Sequence, residues 1–134
     1  MTTDRSRRAY LDVVLTTASP EKLLTMLWDR LILDLVVAEQ AIAEPDMETA
    51  HERLTHAQEI VFELRSTLRT DAWDGGPGLA SLYAYVEQQL ILANVRKDAE
   101  LVAMCRGLLE PLQSAFGEAA RVSGASRATL ATTA

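Results

Sequence analysis

Apolar residues recur along this chain at helical spacing in four stretches, and none alternates with the two-residue period of a strand. The first stretch opens at Thr17-Ala18-Ser19-Pro20-Glu21. Ser19 suits an N-cap, Pro20 the first helical position, and Glu21 the positive end of the helix dipole. A helix is predicted from there to about Ala43, ending before Pro45. From Leu23 to Val37, eleven of fifteen residues are apolar, the exceptions being Thr25, Asp29, Arg30 and Asp34. An ordinary surface helix has a broad polar face. This one must be covered on more than one side or present apolar surface to a partner.

A second helix is predicted from Asp46, its N-cap, to about Thr70. Met47, Ala50, Leu54, Ala57, Val61, Leu64 and Leu68 form a heptad seam suited to bundle packing. The breaker Asp74-Gly75-Gly76-Pro77-Gly78 follows. A third helix spans about Leu79 to Ala93. Leu79, Leu82, Val86, Leu90 and Ala93 make its core face, with Tyr85 and Leu92 on another face and Tyr83 near the edge. After a connection at Asn94 to Asp98, a fourth helix runs to about Ala120. Its seam is Val102, Cys105, Leu109, Leu112 and Phe116, with Pro111 expected to kink or break it. Short connections favour antiparallel neighbours. The expected fold is all-α: an antiparallel up-down four-helix bundle over residues 19–120, with an N-terminal arm (1–18) packed on it and a disordered tail (121–134).

Composition narrows the function. The 134 residues suit one domain, and 49% hydrophobic content fills a core. A net charge of −6 disfavours nucleic acid and anionic membranes, despite Arg5, Arg7 and Arg8. No apolar run reaches the ~20 residues of a membrane span, so no membrane insertion is expected. A polar start, Met1 to Arg8, and a single Cys105 point to the cytoplasm.

Candidate chemistry is sparse. Di-iron bundles need Glu-x-x-His pairs on two helices. Here Glu48 with His51, and Glu52, His56 and Glu59, all fall on one helix, and these are the only histidines. A metal-binding bundle enzyme is thus the weaker alternative to a solvated polar face. Cys105 lies on an apolar seam, where a buried small residue is expected over a nucleophile. The glycines at 75, 76 and 78 follow a helix and make no phosphate loop. No cofactor and no catalysis are expected.

Binding fits better. The segment Ala9 to Leu15 carries Tyr10, Leu11, Val13, Val14 and Leu15, too apolar for a free tail. Tyr10 followed by Thr17-Ala18-Ser19-Pro20-Glu21-Lys22-Leu23 resembles the opening of the FliS family of flagellin export chaperones. Leu82-Tyr83-Ala84-Tyr85, then Leu90, Ala93-Asn94 and Asp98 resemble its third helix, and Ala57 to Leu68 its second. The glycine-rich loop at 73–78 and Pro111 depart from the family pattern. The resemblance implies a cytosolic chaperone for the disordered C-terminal segment of flagellin. It would prevent premature polymerisation and assist flagellar type III secretion, with an export-gate component as a further partner. Tyr10, Leu11 and Val14 would form a cap over the client groove. Tyr83 and Tyr85 would be amphipathic contacts, and Asn94 a motif residue better suited to capping its loop. A monomer or weak homodimer is expected, and a self-associating helical adaptor is the other alternative.

Overall fold

The computed structural model describes residues 19–71 and 74–133, with side chains up to Ser123. Four helices follow one another: α1 (Pro20–Ala43), α2 (Met47–Thr67), α3 (Gly76–Arg96) and α4 (Ala99–Thr133). Their starts follow from local chemistry. The Ser19 hydroxyl accepts from the Lys22 N–H at 3.2 Å, and Pro20 needs no amide partner. The Asp46 carboxylate accepts from the Thr49 hydroxyl at 2.7 Å and from the Thr49 N–H at 3.2 Å, which together hold its pKa below the usual carboxylate range. The Asp98 carboxylate accepts from the Leu101 N–H at 3.1 Å and opens α4.

Cross-helix pairs fix the directions. Glu39 meets Arg106 while Asp29 meets Gln113, so α1 and α4 run antiparallel. Arg65 meets Glu87 and His51 meets Asn94, so α2 and α3 do too. The four helices form an antiparallel bundle in which α1 packs closely on both α2 and α4, α2 packs closely on α3, and α3 lies less closely against α4. This explains the narrow polar face of α1: two neighbours cover it. Trp28, Leu31, Leu35 and Ala38 reach the centre, with Leu54, Val61, Val86, Leu90, Val102 and Leu109 from the other helices.

Several boundaries move. α2 ends at Thr67, three residues before the expected Thr70. Gly75 and Pro77 sit at the very start of α3, which opens at Gly76 and extends to Arg96. A Cβ on Gly76 would lie 2.6 Å from the Thr70 carbonyl oxygen, so the loop passes where only glycine leaves room. α3 ends at Lys97, at φ 52°, whose ammonium is donated to the Asn94 carbonyl and Oδ1, each at 2.6 Å. α4 continues as one helix across Pro111 and past Ala120 to Thr133. Its later residues include Ala125, Arg127, Ala128 and Ala131, good helix formers with no proline among them.

Candidate functional site

Three of the four helix–helix seams carry polar cross-links. Between α1 and α2, the fully buried Asp34 receives Arg53 at 2.9 Å and His56, as well as Arg30 from its own helix at 3.2 Å. Between α1 and α4, Arg106 bridges Glu39 at 2.6 Å and also holds Glu110, and these carboxylates raise the guanidinium's pKa. Between α2 and α3 stand Arg65–Glu87 at 3.1 Å and His51–Asn94. Among the described residues no side-chain hydrogen bond or ion pair crosses from α3 to α4.

That seam instead holds an open groove of about 470 Å³, lined by Gly78, Leu79 and Leu82 of α3 and Leu112, Ala115, Phe116 and Ala119 of α4. Almost all its lining is apolar. Helical spacing extends both walls beyond it. On α3, Leu82, Tyr85 and Leu92 share a row; on α4, Leu101, Met104, Leu108 and Leu112 share another. Tyr85 is 45% exposed, Leu108 38% and Met104 37%. Such a row of half-exposed large apolar side chains along one seam has the shape and chemistry to receive an apolar helix or extended segment. Where α1 begins, a smaller cavity of about 190 Å³ lies between Leu24, Leu64, Leu68, Tyr83 and Phe116.

The floor beneath the groove is aromatic. Trp28 stacks on Phe116 with centroids 5.5 Å apart and meets Tyr83 at 6.3 Å. The Trp28 indole N–H finds no acceptor among the described residues. Burial pushes the Tyr83 hydroxyl up to about 12 and the Cys105 thiol up to about 11. Cys105 is fully buried, a core residue with no nucleophilic setting.

The expected site residues are thus divided. Tyr85 stands beside the groove. Tyr83 is only 2% exposed and belongs to the core, while Leu82, expected there, lines the groove. Both 79-82-86 and 79-83-86 are helical spacings, and the ring contact with Trp28 selects the second. Asn94 faces the opposite seam, tied to His51 and Lys97, and closes the α3–α4 connection. Tyr10, Leu11 and Val14 lie outside the described residues. His51 and His56 are engaged with Asn94 and Asp34, and among the described residues no cluster able to hold a metal forms. Met104 and Leu108 were not anticipated; the signal was a second apolar row on the fourth helix, beside its core seam.

The bundle is thus braced on three seams and open and apolar on the fourth. The chain belongs to the FliS family, whose model, described as flagellar protein FliS, matches residues 3–123. It is 31% identical to the flagellar secretion chaperone FliS of Bacillus subtilis over 111 residues, covering 83% of each chain. It is 32% identical to that of Salmonella typhimurium over 117 residues, covering 81% of this chain and 85% of the relative. A crystal structure of a flagellar chaperone from bacteria shares the fold, with a TM-score of 0.67 and 19% identity, covering 85% of this chain and 96% of that one. No described helix is long and apolar enough to cross a membrane.

Proposed function

We propose that this chain is a cytoplasmic export chaperone that binds the disordered C-terminal segment of flagellin, keeps it from polymerising and assists its type III export. The observation that carries this reading is the α3–α4 seam: an apolar groove with half-exposed walls and no polar cross-link among the described residues. A segment that docks there breaks no hydrogen bond of the bundle and buries apolar area on both helices. Coupled folding of a disordered client typically buries ~1,000–3,000 Å², with part of the gain spent on ordering it. Tyr85 adds ring area and a hydroxyl at the rim.

The arm residues Tyr10, Leu11 and Val14 cap the groove in the free protein and yield to the client. An export-gate component is the second partner, and the free chain is a monomer or weak homodimer. No cofactor is required.

Calorimetric titration with the cognate flagellin's C-terminal segment tests the reading. The expectation is binding at micromolar concentration or tighter, weakened about thirtyfold, roughly 2 kcal/mol, by Leu108→Glu. No binding, or binding indifferent to Leu108, removes it. Deleting residues 1–15 leaves affinity unchanged or raises it if the arm competes; a large loss would place the arm within the site.

A further inference from the structure

The α3–α4 groove leaves a second apolar surface unexplained. On the outer side of the α2–α3 pair, Phe62 is 52% exposed, Ile91 50% and Val95 78%. The cross-links of that seam bring these residues to one face. Phe62 lies one turn from Arg65, whose guanidinium sits 5.5 Å over its ring. Ile91 lies one turn from Glu87, the partner of Arg65, and Val95 lies one turn further on.

Singly exposed apolar residues mean little. What distinguishes this face is its charge. Glu48, Glu52, Glu59 and Glu63 recur along the outward half of α2 at helical spacing, in a row beside Phe62 that also contains His56, and all four are exposed. None of their carboxylates has an ion pair or hydrogen bond among the described residues. The basic side chains of α2 are engaged elsewhere: Arg53 and His56 with Asp34 of α1, Arg65 with Glu87. The face is therefore an apolar strip beside a row of unneutralised carboxylates, whereas the α3–α4 groove is almost purely apolar.

We propose that the outer face of the α2–α3 pair is a second docking surface, for a basic amphipathic helix of a partner protein. Charge complementarity selects this occupant. Phe62, Ile91 and Val95 receive its apolar side chains, while its lysines or arginines meet the four glutamates and are steered there by the chain's overall charge of −6. An acidic or neutral segment would leave those carboxylates unpaired and crowded. The surface lies on the opposite side of α3 from the groove, so both can be occupied at once. It stands whether or not the groove holds flagellin.

Fluorescence anisotropy on the full chain decides it, with a labelled synthetic helix carrying leucines on one face and lysines on the other. A matched peptide with glutamates for lysines is the control. The lysine peptide should bind, weaken about tenfold in E52Q/E59Q/E63Q and comparably in F62A, and lose affinity with added salt. The variant Y85A/L108A, on the groove, should leave it unchanged. Circular dichroism confirms that each variant remains folded. Three results overturn the proposal: equal binding of the glutamate peptide, affinity indifferent to Phe62, or loss of binding in the groove variant. Failure of the lysine peptide to bind at about 100 μM would also overturn it.

Discussion

Asp34 is the residue whose replacement tests the packing argument most directly. Its carboxylate is fully buried and is met by Arg30, Arg53 and His56, whose side chains are 38%, 30% and 41% exposed. Removing one partner of a buried pair costs about 3–5 kcal/mol when the survivor is stranded as an unpaired buried charge. Here the two sides are unequal. With Asp34→Ala, two guanidiniums and an imidazole are left, but each already reaches water and can be solvated, so the expected loss is about 2–3 kcal/mol, below that range. Replacing Arg30, Arg53 and His56 together by alanine strands a buried carboxylate and should cost the full ~3–5 kcal/mol. Arg30→Ala alone, with two partners left to Asp34, should cost about 1 kcal/mol or less. Urea unfolding followed by circular dichroism measures all three, with the m-value unchanged. At roughly 3–4 °C per kcal/mol, the Asp34→Ala melting point falls by about 6–12 °C. If the triple variant proved no less stable than Asp34→Ala, the asymmetry would be wrong.

Three other expectations follow from the bundle. Gly76→Ala should lose about 1–3 kcal/mol, because its Cβ meets the Thr70 backbone. Gly107→Ala, with open space around it inside α4, should gain about 0.5–1 kcal/mol; urea midpoints compare them. Tyr83 and Cys105 have pKa values raised above their unfolded 10.0 and 9.0. Their contribution is fully present below about pH 9, then falls as the unfolded chain ionises first, until the folded groups titrate. Stability should therefore drop between about pH 9 and 12, and C105A should fall less steeply at the start of that window. Ser19→Ala removes the α1 cap and should cost about 1 kcal/mol, read as a lower urea midpoint.

Much of this was legible in the chain itself. The caps Ser19, Asp46 and Asp98, the buried rows from Ala50 to Leu64 on α2 and from Val102 to Leu109 on α4, and the burial of Cys105 follow from spacing and side-chain chemistry. What was not legible depends on which helix faces which. The exchange of Leu82 for Tyr83 in the core turns on Trp28, a residue more than fifty positions away. The apolar excess of α1 allowed either cover on more than one side or a face for a partner; two packed neighbours supply the cover, and the open face lies on α3 and α4. Asp34 read as a break in an apolar run; its partners Arg53 and His56 become visible only once α2 is in register. His56 had been grouped with Glu52 and Glu59, its neighbours along the helix, while the bond it makes is to another helix.

The bare α3–α4 seam has a consequence for fidelity. Hydrogen bonds enforce register, because a slip breaks them; an apolar row repeats every turn and forgives one. A ligand helix displaced by one turn along Leu82, Tyr85, Met104 and Leu108 meets nearly the same surface. Such a seam reads length and greasiness more than sequence. A client held there as proposed would be free to drift in sequence, and discrimination among relatives would fall to other parts of the complex.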